Sequence, residues 1–265
     1  MIIRHDVEAE RYLAKSNEFP AVVAVDSFQE QELVVYDKID ELLKPSLVPA
    51  ARLEPKFYTR YDGMGSLVRP DWVLSAAHVA TELSLDKKIT VGKTDYSIQQ
   101  IVLHPNFRNY GLSKEIAEHD IALIQLDQSV KDVPILPLYI EADELEKVVT
   151  FVGRGDFGTG LIGPDKVDGK MRKATNQVEE VDKQWLIFKF DAPPGGTALE
   201  GISGPGDSGG PALLEVDGGW AIAGVSSGQK SDGFGEGYYG VREYYTRVSK
   251  YVDWIESVTA RQTKK

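Results

Sequence analysis

The chain has 265 residues, 42% hydrophobic and 27% charged, with a formal net charge of −11 and no cysteine. That length supports one large domain or two small ones around a sizeable core, and the acidic balance argues against nucleic acid and anionic membranes as main partners. Without cysteine there are no disulfides, zinc–thiolate sites or cysteine nucleophiles.

Short segments rich in Val and Leu come first along the chain. Residues 21–25, 32–38, 65–68 and 72–76 are expected as strands. Residues 120–126 are nearly all apolar and are expected as a buried strand. The proline-bearing stretch 130–140 is a candidate linker, dividing the chain into residues 1–133 and 134–265. A short helix is expected over 142–147. Strands at 184–190, 220–225 and 243–248 follow, with a hairpin turn at Asp217, Gly218 and Gly219. The chain closes on an expected helix over 248–260, with Val248, Tyr251, Val252, Ile255 and Val258 on one face and Ser249 as its N-cap. Many short strands with frequent turns indicate an all-β sandwich or barrel. No apolar run approaches the ~20 residues of a membrane-spanning helix, and no signal peptide is expected in this chain.

Three segments carry chemistry: LSAAHV at 74–79, HDIALIQL at 119–126 and GDSGGP at 206–211. They offer His78, Asp120 and Ser208. A serine hydroxyl is a weak nucleophile and needs a base within hydrogen-bond reach. Histidine suits that task near neutral pH, and a carboxylate on its far ring nitrogen fixes the tautomer. The glycines around Ser208 let the backbone turn tightly and aim N–H groups at one point. Residues 206–210 also satisfy the G-x-S-x-G elbow of α/β-hydrolases, but that fold places its histidine after the serine. The four histidines are His5, His78, His104 and His119, all ahead of Ser208. An Asp, His, Ser order would require a helix-rich alternation that the chain lacks. Beside Asp120, His119 is expected to face away, since adjacent strand residues point to opposite faces. His104 and His5 are expected in loops.

The three motifs, in this order, resemble the trypsin/chymotrypsin family of serine endopeptidases, and the absence of disulfides resembles its bacterial branch. The resemblance runs from about Pro20 to the closing helix. It implies two antiparallel six-stranded β-barrels followed by a C-terminal helix, the first half carrying His and Asp, the second Ser and the specificity pocket. It also implies that His78 is the general base, Asp120 its orienter and Ser208 the nucleophile, with the N–H groups of Gly206 and Ser208 as the oxyanion hole. Ser226 would support the buried aspartate, and Ser226, Ser227 and Gly228 would form the edge that pairs with substrate backbone. Polypeptide substrates and protein inhibitors are the implied partners of a monomer without cofactor or metal, secreted or periplasmic. A catalytically silent, protease-like binding module is the alternative.

The chain departs from that family pattern at three places. Where a disulfide usually ties the histidine loop stand Met64 and Val79, an apolar pair. Activated members bury an Ile or Val amino group against the aspartate preceding the nucleophile, here Asp207; Ile2 or Ile3 could supply it after trimming, and Met1 as written would block it. At the base of the pocket stands Ile202, which leaves two readings: an apolar floor for Phe, Tyr or Leu, or Glu243 reaching in to select Lys or Arg. Gly228 would leave the entrance open, and Tyr238 and Tyr239 could touch the rim. A solvated or structurally paired Glu243 is the simpler expectation for that residue alone.

Overall fold

The structure, a computed structural model, describes residues 1–34, 54–110, 116–231, 233 and 235–260. The first half holds one antiparallel sheet of six strands. In spatial order these are Val22–Val34, Glu54–Arg69, Trp72–Ser75, Ala122–Leu126, Thr94–Leu103 and Lys88–Val91. Residues 21–25 and 32–34 thus belong to one stretch of chain rather than two strands, and 35–38 fall outside the described residues. Trp72–Ser75 and Ala122–Leu126 are buried throughout, as an unbroken apolar run requires. Lys88–Val91 instead alternates exposed and buried residues.

The second half holds a seven-stranded antiparallel sheet, ordered Arg172–Gln177, Val148–Gly153, Pro211–Val216, Gly219–Lys230, Arg242–Arg247, Trp185–Lys189 and Glu180–Val181. Between Val216 and Gly219 lies the expected hairpin: Asp217 and Gly218 both take positive φ, 49° and 76°, as a tight two-residue turn demands. A smaller sheet joins Gly163–Lys166, Phe157–Thr159, Ile2–Ile3 and Gly201–Ile202. Residues 2 and 3 therefore pair with the second half, although a division at 133/134 counts them with the first. The stretch 130–140 bonds to both sheets: Leu136 N–H donates to Leu67 O of the first, and Tyr139 N–H to Ile222 O of the second.

One core cluster spans both halves. Trp72, Leu67, Leu74, Leu123 and Ile124 form a cluster that continues onto Val152, Leu213, Ile222 and Val225. Met64 and Val79 are buried in this same cluster, so apolar packing occupies the place of the missing disulfide. Val248, Tyr251 and Ile255 close it from the C-terminal end. That end is a single 3₁₀ turn, Val248–Lys250, followed by the helix Val252–Ala260. Ser249 is not its N-cap: its hydroxyl donates to Glu144 Oε1 at 2.7 Å. Nor do residues 142–147 form a helix. A six-residue helix is a poor nucleus in isolation, and Glu144 is instead drawn fully inside to a two-point pair with Arg247. Among the described residues no helix is long and apolar enough to cross a membrane.

Candidate active site

Ser75 and Ala122 face each other across the pair of central strands. The chain just beyond Ser75 and just before Ala122 therefore emerges at one end of the sheet. The first segment turns into the short helix Ala77–Thr81, which carries His78; the second holds Asp120. His78 Nδ1 lies 2.7 Å from Asp120 Oδ2, and the His78 backbone N–H donates to Oδ1 at 2.8 Å. Ser227 Oγ adds a third donor, at 2.6 Å from Oδ2. Three donors offset the cost of burying a carboxylate that is 0% exposed. Burial disfavours protonation of the His78 ring, but the Asp120 charge and its hydrogen bond outweigh this and hold the imidazole above its ordinary value.

His119 does face away. Its φ is +49°, its Nδ1 lies 2.9 Å from the Tyr251 hydroxyl, and its ring stacks on His104 at 5.1 Å. His104, expected as a plain loop residue, is thus part of a ring cluster completed by Tyr251 and Trp254. His5 pairs with the Tyr239 hydroxyl.

Ser208 sits in a loop pressed against the histidine side of the site. Met64 N–H donates to Ser208 O at 2.7 Å. A Cβ at Gly209 would lie 2.4 Å from Ser75 Oγ and 3.0 Å from Ala76 N, in the segment that leads into His78. A Cβ at Gly206 would lie 2.0 Å from Tyr61 O. Both glycines have positive φ, +88° at Gly206 and +80° at Gly209, so conformation and space alike demand glycine. Among the described residues, the N–H groups of Gly206 and Ser208 have no hydrogen-bond partner.

Asp207 is 2% exposed and fully engaged. Its Oδ1 accepts from Gly155 N–H at 2.7 Å, and its Oδ2 accepts from Gly204 N–H at 2.9 Å and from the Met1 ammonium at 2.5 Å. That ammonium also donates to Asp156 O at 2.5 Å. Met1 does not block this pairing: in this structure its own amino group meets Asp207. The two isoleucines are held in the sheet instead, Ile2 opposite both Ile202 and Gly158, while the Met1 side chain is buried in the second-half core.

The specificity region also departs from expectation. Ser227, not Ser226, supports Asp120. A β-bulge between Ser226 and Gly228 shifts the register, and Ser226 Oγ turns inward, 3.4 Å from Ser203 Oγ. Ile202 is packed away with Ile2, Phe190 and Val241, and Tyr238 and Tyr239 pack on that cluster. Glu243 is structurally paired rather than solvated, the simpler of the expectations for it. It is 0% exposed, and its carboxyl accepts from Ser203 N–H at 2.9 Å and from Ser203 Oγ. Burial pushes this carboxyl up to about 8; the Ser203 hydrogen bonds oppose the rise, and the charges of Asp207 and Glu236 add to it.

Sequence reasoning missed Gln229, which stands directly opposite Glu243 across the strand pair. Its Nε2 donates to Ser203 O at 2.9 Å and its Oε1 accepts from Gly237 N–H at 3.0 Å. Strand alternation would have pointed to it had the bulge been known. Among the described residues no group of three His, Asp or Glu could hold a metal ion.

Residues 56–255 match the family model described as Trypsin. The chain is 29% identical over 218 residues to chymotrypsin-like elastase family member 1 of Felis catus, covering 74% of this chain and 78% of that one. It is 29% identical to complement C1r-A subcomponent of Mus musculus over 228 residues, covering 73% of this chain and 30% of that one. Among solved structures, neuropsin, a serine protease of mouse brain, superposes with a TM-score of 0.66 at 18% identity, covering 94% of this chain and 98% of its own. That match carries the two-barrel, mostly β fold. On the extent of the family-model match, the chain belongs to the trypsin family of serine proteases.

Proposed function

We propose that the chain is an active serine endopeptidase that hydrolyses peptide bonds through an acyl-enzyme on Ser208. The observation that carries this reading is the two-point hydrogen bonding of Asp120 to His78, through Nδ1 and the backbone N–H. With Nδ1–H fixed on the carboxylate, Nε2 is left as the free base. His78 Nε2 takes the proton of Ser208 Oγ as the oxygen attacks the scissile carbonyl. The resulting imidazolium is stabilised by Asp120, and the oxyanion is received by the N–H groups of Gly206 and Ser208. His78 then returns its proton to the leaving amine, and water, deprotonated by the same imidazole, releases the acyl group.

The substrate edge of this reading is the part of Gly219–Lys230 beyond Ser226, whose own N–H and carbonyl are taken by Gly210 and Gly209. There the strand keeps its partner Arg242–Arg247 but has passed the end of Pro211–Val216. An extended peptide would add to that edge as a further strand. Polypeptides are the substrates, protein inhibitors that mimic them are further partners, and the secreted or periplasmic setting rests on the family resemblance. The division of labour follows the two sheets, with His78 and Asp120 in the first half and Ser208 and the pocket in the second.

The test is a peptide-library cleavage profile of the unaltered chain beside Ser208→Ala. Cleavage by the unaltered chain alone supports the reading. No cleavage and no labelling by a serine-directed inhibitor in either form leaves the silent binding module instead.

A further inference from the structure

Glu243 and Gln229 are cross-strand partners and so project on the same side of their sheet. Both end on Ser203. The Glu243 carboxyl accepts from the Ser203 N–H and hydroxyl, while the Gln229 amide donates to the Ser203 carbonyl. The other end of the Gln229 amide accepts from Gly237 N–H, so this side chain bridges Ser203 to the Gly237 loop. Ser226 Oγ, 3.4 Å from Ser203 Oγ, stands on the same cluster.

We propose that Gln229 is a gate: its side-chain amide occupies the space where the substrate side chain preceding the cleaved bond would enter, and it restricts the unaltered chain to small uncharged residues there. This rests on the endopeptidase reading above. A small side chain leaves the amide and both its hydrogen bonds in place. A larger one has to displace the amide, which strips Ser203 O and Gly237 N–H of their partners. An apolar side chain such as Phe replaces neither bond, and buried polar groups left unpaired are costly. Lys or Arg brings donors for Ser203 O and a charge for Glu243, but leaves Gly237 N–H bare and requires Glu243 to give up its proton. The acidic group is therefore present but shielded, and Gln229 decides whether it is read.

The experiment compares kcat/KM on short peptide anilides with Ala, Phe, Lys or Arg before the cleaved bond, for the unaltered chain, Gln229→Gly, Gln229→Ala and Gln229→Gly/Glu243→Gln. Circular dichroism melts show that each variant folds. The unaltered chain should favour Ala over Lys and Arg by at least about ten-fold. Both single variants should raise the Lys and Arg rates about ten-fold or more, and the added Glu243→Gln change should abolish that gain. Equal rates on Ala and Lys in the unaltered chain, or folded single variants with an unchanged profile, overturn the gate. Fluorophosphonate labelling of the unaltered chain, lost in Ser208→Ala, separates the two ideas. Labelling with an unchanged profile overturns the gate alone; no labelling overturns the endopeptidase reading and the gate with it.

Discussion

Ser227 Oγ donates to Asp120 Oδ2 at 2.6 Å, while its neighbour Ser226 points into the Ser203 cluster. A hydrogen bond to a charged group contributes about 1.5–3 kcal/mol. Ser227→Ala should therefore lower kcat by about ten-fold or more, and by more than Ser226→Ala does. Steady-state kinetics on one peptide substrate reads the order. A larger loss in Ser226→Ala would restore the register expected from sequence.

Asp207 lies between Gly206 and Ser208, the residues proposed above to supply the oxyanion donors, and the Met1 ammonium neutralises it. Adding one residue ahead of Met1, or acetylating its amine, leaves a buried carboxylate without its cation. Breaking such a pair costs about 3–5 kcal/mol. The modified chain should lose at least about a hundred-fold in kcat/KM, and equal activity would contradict the role given to this pair. Intact-mass measurement of the active chain verifies which residue carries the amine.

Gly206 has φ +88°, and a Cβ there would lie 2.0 Å from Tyr61 O. Gly206→Ala must move the loop and with it the Gly206 N–H, one of the two oxyanion donors proposed above. Loss of one such donor elsewhere costs about 10²–10³-fold in kcat. A similar fall is expected here, with KM much less affected.

His78 must be neutral to act as a base, and its environment raises its pKa. The acid limb of kcat/KM against pH should therefore fall above the ordinary imidazole value of about 6.5, with activity rising as pH climbs through it. Asp120→Asn removes the charge that raises the pKa and should also lower kcat by about 10⁴-fold, the fall known for this change in the family's triad.

Glu243 gives a stability prediction of definite sign. Its carboxyl titrates near 8 in the folded chain, against an ordinary value of 4.5. The folded state holds this proton more tightly, so the stabilisation is complete below about 4.5 and is lost as pH rises through about 8. In a Ser208→Ala background, which prevents self-cleavage, the Tm advantage over Glu243→Gln should shrink steadily from pH 5 to pH 9. An advantage that grows with pH would contradict a buried, protonated Glu243.

What was legible in the sequence follows from how local each signal is. His78, Asp120 and Ser208 each sit at the end of a strongly patterned segment, so they can be singled out without any knowledge of packing. The all-β class is written in the short apolar runs, and the closing helix in the spacing of Val248, Tyr251 and Ile255. Features set by distant partners were not legible. Residues 142–147 look helical until Arg247 claims Glu144. A one-residue bulge exchanged the roles of Ser226 and Ser227 and hid Gln229, because a register slip of one turns side chains to the opposite face. The burial of Ile202 depends on Ile2, two hundred residues earlier in the chain.

The most direct test of the central claim is mass spectrometry of the chain after reaction with a small fluorophosphonate, run beside peptide cleavage. The account predicts a single adduct on Ser208, cleavage that disappears in step with its formation, and neither in His78→Ala. An intact, folded chain that forms no adduct at Ser208 and cleaves no peptide would contradict it.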